Sequence, residues 1–198
     1  MANVISIEGS HGVGKTTLVR NLKQKFTEAF FYDEQGIKEL QLKKEQSKYR
    51  MHVESEFYEI QKWYIQHEID RFNYLGNQDL VFVVRGPEMK EFYILQYPKT
   101  IGKNWDVETN LQPWLTKLRS CRSSKILFLD ATIQNLKERI ERSGRPRKNI
   151  EDWFDIWYQP YTTFFMNHSN SFIVDTNTLN DLIVKQIVSD WILNSATD

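Results

Sequence analysis

The chain has 198 residues, with Lys plus Arg and Asp plus Glu balanced at 26 each. That length suffices for one sizeable core. The formal net charge of zero removes any global electrostatic pull toward nucleic acid or an anionic membrane, leaving only local patches to consider. Hydrophobic residues at 40% and charged residues at 26% match an ordinary water-exposed globular protein. No apolar run reaches the roughly 18 residues of a bilayer span, nothing at the start reads as a signal peptide, and the single cysteine, Cys121, has no internal disulfide partner. A single cytoplasmic domain over residues 1–198 is the expectation, with neither nucleic acid nor membrane as a partner.

Residues 4–8 form the first short apolar run, and similar runs recur at 29–32, 80–84, 125–130 and 171–175. Four of them are nearly continuous in apolar residues, as strands buried on both faces are. Helical patterns lie between them, at about 15–27, 53–75, 107–120, 132–143, 150–166 and 179–194. Alternation of this kind signals an α/β fold with a parallel sheet between helices. In the last pattern Leu179, Leu182, Ile183, Gln186, Ile187, Asp190 and Trp191 share one face. Residues 36–50 read as a solvated helix face. Residues 86–106, with Pro87, Pro98 and Gly102, read as an irregular, partly helical excursion above the sheet. Pro160 is expected to kink or interrupt the helix over 150–166.

The strongest signal follows the first strand. Gly9-Ser10-His11-Gly12-Val13-Gly14-Lys15-Thr16 satisfies the Walker A pattern at every fixed position, between a buried strand and an amphipathic helix. Glycines let the chain turn back so that successive N–H groups point inward and cradle phosphate oxygens. The opening helix adds its positive dipole end. Lys15 is expected on the β- and γ-phosphates, the Thr16 hydroxyl on Mg2+, and Thr17 on the α-phosphate. His11 reads as a variable position of the cradle rather than a catalyst. ATP with Mg2+ is the expected ligand.

Among P-loop proteins, a guanine-specific switch would show Asn-Lys-x-Asp after a strand, and none occurs. A motor-type ATPase would show an apolar strand ending in paired acids, yet the run 125–130 ends Leu-Asp-Ala and the run 80–84 leads into Arg-Gly. A small-molecule kinase remains. The segment Glu138-Arg-Ile-Glu-Arg-Ser-Gly-Arg-Pro-Arg147 places Arg139, Arg142, Arg145 and Arg147 around a break between two helices. It reads as a movable lid (about 138–150) whose guanidinium groups offset charge on a migrating phosphoryl group. The alternative is a charged surface turn.

Ile7-Glu8-Gly9 opening the loop, Arg85-Gly86-Pro87-Glu88 after the third strand, the run from Arg139 to Arg147, and Phe172-Ile-Val-Asp-Thr176 together resemble the thymidylate kinase and deoxynucleoside kinase superfamily of P-loop kinases, its bacterial members in particular. The resemblance implies a three-layer P-loop fold with a five-stranded parallel sheet of order 2-3-1-4-5, a helical lid, and an acceptor above the strand C-termini. It gives Arg85 the acceptor or its phosphate, and it gives Asp33 or Glu34 the role of base for a hydroxyl acceptor; each could equally be a solvent-exposed turn acid. In the family an acid precedes the arginine, whereas Val84 stands here. The helix bearing Glu56, Gln61, Trp63, Tyr64, Glu68 and Arg71 lines the acceptor pocket in the family. Phe57, Ile60, Tyr64 and Phe72 read as core, as do Trp153, Trp157, Tyr161, Phe164 and Phe165. Asp130 is expected to cap the helix starting near Thr132, and residues 176–178 to border adenine. The leading expectation is a kinase for a nucleoside, nucleotide or similar small acceptor, with a homodimer allowed. The alternatives are a nucleotide-binding protein without efficient transfer and an antibiotic-type phosphotransferase.

Overall fold

Strand β1 (Asn3–Gly9) occupies the middle of a five-stranded, all-parallel sheet in the order β2-β3-β1-β4-β5. Its partners are β3 (Leu80–Val84) and β4 (Lys125–Asp130), with β2 (Phe30–Tyr32) and β5 (Ser171–Asp175) at the edges. The computed structural model describes residues 3–32, 50–75, 78–144 and 149–194. The three inner strands are the near-continuous apolar runs, and they are buried on both faces. At the edges, β2 is only half-buried and β5 buries Val174 alone.

Strand parity builds the three layers. Ile5, Ile7, Phe82, Leu127 and Leu129 face one side, where they meet helix α1 (Lys15–Lys25) and helix α9 (Asp181–Asn194). Val4, Ser6, Glu8, Val81, Val83, Ile126 and Phe128 alternate with them. On this second side lie α2 (Glu54–Leu75), α3 (Pro87–Thr100) and α8 (Gln159–Met166). Each fully buried Leu or Phe contributes about 1.5–3 kcal/mol. A further cluster joins α2 and α3 to α4 (Val107–Asn110) and α5 (Gln112–Arg119) through Phe57, Ile65, Ile94, Leu111 and Leu115.

Several expectations need correction. Residues 87–100 form a regular helix: Pro87 occupies its first turn, where a missing N–H costs nothing, and Pro98 sits in its last. Gly102, at φ +68, ends it in a Schellman arrangement, with Lys103 N–H on Pro98 O and Gly102 N–H on Lys99 O. The single helix expected over 107–120 is two helices, because Pro113 has no N–H to offer Thr109 O. Pro160 does interrupt its helix: α7 (Ile150–Trp153) passes through a π-helical turn, Phe154–Tyr158, into α8. Thr132, not Asp130, caps α6 (Ile133–Arg142), accepting from Asn135 N–H. Asp130 instead gives its carbonyl to the Thr176 amide and hydroxyl. The buried stripe of α9 is Val184, Val188 and Ile192, while Leu182 is 72% exposed; in a helix apolar nearly all round, periodicity leaves the facing stripe ambiguous. Residues 36–49 lie outside the described residues, and Arg50 is ion-paired with Glu56.

Candidate active site

Residues Ser10 to Leu18 line a cavity of about 650 Å³, together with Val84, Arg85, Arg139, Arg142, Thr176 and Asp181. It sits at the C-terminal ends of the strands, where β1 hands over to α1. Two glycines are obligatory here by backbone and by space. Gly9, at φ +134, lies against Leu129 O. Gly12, at φ +81, would put a Cβ 2.9 Å from both Leu136 O and Ile140 Cγ1. Helix α6 therefore closes directly onto the loop. No side chain caps α1, and its first turn carries no acid, so its N-terminal N–H groups and dipole favour an anion. The Lys15 ammonium donates to Gly9 O at 2.6 Å and Ser10 O at 3.0 Å, which holds it across the loop. The structure thus brings Ser10, His11, Gly12, Val13, Gly14, Lys15, Thr16 and Thr17 into one concavity, with Gly9 just before them at the end of β1. The exposed Thr16 hydroxyl offers an oxygen donor of the kind Mg2+ takes, alongside the waters and phosphate oxygens that such an ion keeps.

Arg85 reaches the same cavity from a left-handed backbone conformation, φ +64. That geometry is costly for a residue with a Cβ and persists only where surroundings enforce it. Here three hydrogen bonds do so. Arg85 N–H donates to Ile7 O at 3.3 Å, Arg71 donates to Arg85 O at 2.9 Å, and Gly86 N–H donates to Glu8 Oε1 at 2.6 Å. Arg71 is itself ion-paired with Glu68. A buried acid, Glu8, thus reaches this turn from the neighbouring strand β1. Parity turns Glu8 toward the α3/α8 side, and its carboxylate fixes the turn that carries Arg85.

Glu8 is fully buried. Burial raises its pKa to about 7, with the nearby Glu88 adding to the rise, against lowering by the Gly86 N–H, Tyr161 and Lys15. The Tyr161 hydroxyl donates to Glu8 Oε2 at 2.9 Å and accepts from Gly9 N–H at 3.2 Å. Glu88, also buried and with its pKa raised by burial, accepts from Ser123 N–H and Oγ at 2.6 and 3.1 Å. Tyr161 is core, as expected; sequence reasoning missed the contacts of its hydroxyl and the part that Glu8 and Arg71 play in holding the Arg85 turn. Counting inward from the apolar Ile5 and Ile7 places Glu8 on the opposite face, and that parity was the available signal.

A second cavity, of about 590 Å³, is lined by Arg50, Met51, His52, Gln61, Tyr64, Lys90, Tyr93, Tyr97 and Trp157. A slot of about 540 Å³ shares His11 with the phosphate cavity and Trp157 with this second one. Trp153 stands edge-on to His11 and donates through Nε1 to Tyr93 OH at 3.0 Å. Phe57 and Ile60 are core, whereas Tyr64 and Gln61 turn toward the cavity. Of the lid arginines, Arg139 is held against Thr176, donating to Oγ1 at 3.1 Å and O at 2.5 Å. Arg142 lines the phosphate cavity. Arg145, Arg147, Asp33 and Glu34 lie outside the described residues.

The sequence matches the family described as an AAA domain over residues 4–178, most of its length. The chain belongs to the AAA domain family. Three solved structures similar to this AAA domain are of deoxyadenosine kinase from M. mycoides. The form with bound dATP has a TM-score of 0.69 at 14% identity, covering 96% of this chain and 98% of that one. The form with products dCMP and a flexible dCDP has a TM-score of 0.68 at 14% identity, covering 97% and 99%. The form with bound dCTP has a TM-score of 0.68 at 15% identity, with the same coverage. At such identity the likeness establishes the fold alone, a five-stranded parallel sheet between helices in the 2-3-1-4-5 order expected. No curated protein matches the chain. Among the described residues no helix is long and apolar enough to cross a membrane.

Proposed function

We propose that the protein is an ATP-dependent small-molecule kinase, transferring the γ-phosphoryl group to a nucleoside, nucleotide or similar acceptor. The observation that carries this reading is the placement of Arg85. It lines the phosphate cavity from a turn locked by Glu8 and Arg71, on the side where α2 and α3 wall an aromatic cavity. Such transfer asks the protein for alignment and for positive charge over the migrating group rather than for covalent chemistry.

In this reading the loop amides and Lys15 bind the β- and γ-phosphates, and Lys15 exchanges its carbonyl partners for phosphate oxygens. Thr16 would hold Mg2+, which supplies charge neutralisation between the phosphates. Arg85 stabilises charge on the group in flight. The arginines Arg139, Arg142, Arg145 and Arg147 belong to a lid over about 138–150 within one domain, and its closure would exclude water. Asp33 or Glu34 would take the proton of a hydroxyl acceptor. Thr176, set beside Arg139, borders the base of ATP. ATP supply and a single cysteine fit work in the cytoplasm. The rival reading, nucleotide binding without efficient transfer, is motivated by Val84; the Glu8 contact to Gly86 weighs against it.

Labelled ATP offered with a panel of nucleosides, nucleoside monophosphates and hydroxylated antibiotics tests this directly. Acceptor-dependent transfer of label supports the kinase. Tight ATP binding with no acceptor-dependent product from any member would leave only the nucleotide-binding rival standing.

A further inference from the structure

Among the described residues, the ammonium of Lys90 has no opposite charge in contact. Lys90 lies on α3 and lines the 590 Å³ cavity, with Nζ 5.0 Å from the centre of the Tyr64 ring. It makes no hydrogen bond or ion pair among the described residues. Its neighbours are Glu68, Arg71 and Arg85, and Glu68 is already engaged by Arg71. Burial pushes the Lys90 pKa down, and the two guanidinium groups push it further, against the pull of Glu68. A largely desolvated cation is costly until an anion meets it, and a ring face offsets only part of that cost.

The rest of the lining has the same character. Arg50 adds a positive charge and His52 an imidazole, and no described lining residue is a carboxylate. Arg50 is already held by Glu56 and is mostly exposed, which leaves Lys90 as the inner cation. Tyr64, Tyr93, Tyr97 and Trp157 supply flat apolar faces, and the buried Gln61 supplies an amide whose described contact is only a 3.9 Å approach to Met51 Sδ. Aromatic walls, one buried amide and one unmatched cation suit a planar heterocycle carrying an anionic group. Lys90 also lies close enough to Arg85 to feel its charge, and Arg85 lines the phosphate cavity. An anion on Lys90 therefore lies toward the transfer side.

We propose that the acceptor is already a phosphomonoester, a nucleoside monophosphate in class, and that Lys90 is the residue that recognises its phosphate. This rests on the kinase reading above. An acceptor phosphate oxygen forms a bond to the γ-phosphorus as the bond from that phosphorus to the β–γ bridging oxygen breaks, and the electron pair departs with ADP. An ionised phosphomonoester brings no proton to remove, in keeping with a described lining that holds no carboxylate base.

The test compares each nucleoside with its own 5′-monophosphate in the full-length protein, with ATP, in the wild type and in Lys90→Met and Lys90→Arg. The wild type is expected to prefer the monophosphate by at least about tenfold in kcat/KM, roughly 1.4 kcal/mol. Lys90→Met should erase that preference by raising KM for the monophosphate alone, and Lys90→Arg should retain it. Nucleosides used as well as monophosphates, or a preference unchanged in Lys90→Met, would overturn the proposal. Calorimetry of the same monophosphates without ATP gives an arm that needs no turnover. Binding in the wild type that weakens in Lys90→Met supports the assignment, and absent or unaltered binding overturns it. A triphosphate analogue titrated separately tells the two readings apart: no analogue binding sinks the kinase reading, whereas intact analogue binding with nucleoside-only turnover sinks this proposal alone.

Discussion

The Tyr161 hydroxyl stands between the first amide of the phosphate loop and a buried acid, 3.2 Å from Gly9 N and 2.9 Å from Glu8 Oε2. Through Glu8 it reaches the Gly86 amide, and so the turn that presents Arg85. One hydroxyl on α8 thereby joins the glycine loop after β1 to the turn that carries Arg85.

Tyr161→Phe keeps the ring packing against Phe92, Phe128 and Phe165 but leaves Gly9 N–H and one Glu8 oxygen without this buried partner. A buried group left unsatisfied costs about 1–3 kcal/mol, and that is the expected loss in denaturant unfolding. Turnover should fall more than affinity for a triphosphate analogue, since the loop keeps its glycines and Lys15 while Arg85 loses its anchor. Unchanged stability and unchanged turnover would remove Tyr161 from the site's support.

Glu8 sets a pH dependence whose sign follows from its raised pKa. The folded protein holds a proton on Glu8 up to about pH 7, whereas the unfolded chain releases it near the ordinary glutamate value of 4.5. Between those values the native state binds more protons, so stability is fully present below the lower value and is lost as pH rises toward 7. Glu88 shifts in the same direction through its own burial, so the informative quantity is a difference. The melting temperature of the wild type should drop between pH 5 and 8 by more than that of Glu8→Gln, whose amide oxygen can still accept from Gly86. Parallel pH profiles would show that Glu8 ionises in the fold as it does in the unfolded chain.

How far the sequence led depends on which residues carry the information. Strands β3, β4 and β5 fall on the residues expected, because short runs rich in apolar, β-branched and aromatic residues between longer helical patterns favour strands. The phosphate loop was equally plain, since each glycine answers a backbone demand visible in the motif. Helix α3 was misread by treating Pro87 and Gly102 as breakers, although proline just inside the start and glycine just past the end mark a helix. The Glu8 contacts join residues 78 and 153 positions apart in the chain. Local pattern does not see such pairs; parity gives the face on which Glu8 lies but not its partners.

Lys15→Ala removes the ammonium that now bridges Gly9 O and Ser10 O and that the kinase reading places on the phosphates. Turnover is expected to vanish and triphosphate binding to weaken, read by calorimetry and labelled-ATP transfer. The fold should survive, because α1 is anchored by Leu18, Val19 and Leu22. Unaltered binding and kinetics would withdraw the phosphate cradle from this loop.

Two lid arginines should separate by kind of effect. Arg139 donates to the hydroxyl and carbonyl of Thr176, whose amide and hydroxyl in turn meet Asp130 O. Arg139→Ala therefore frees the segment after β5 that lines the phosphate cavity, and it should weaken ATP binding and lower stability together. Arg145 lies outside the described residues, and its expected role rests on the Ser-Gly-Arg-Pro-Arg break. A guanidinium that meets the phosphoryl group only in flight lowers kcat when removed and leaves ATP affinity nearly intact. Arg145→Ala should behave in that way, with kcat and the dissociation constant of a triphosphate analogue measured on the same preparation. Equal losses in both quantities would make Arg145 a ground-state contact, and a pattern shared with Arg139→Ala would turn the lid into an extension of the ATP site.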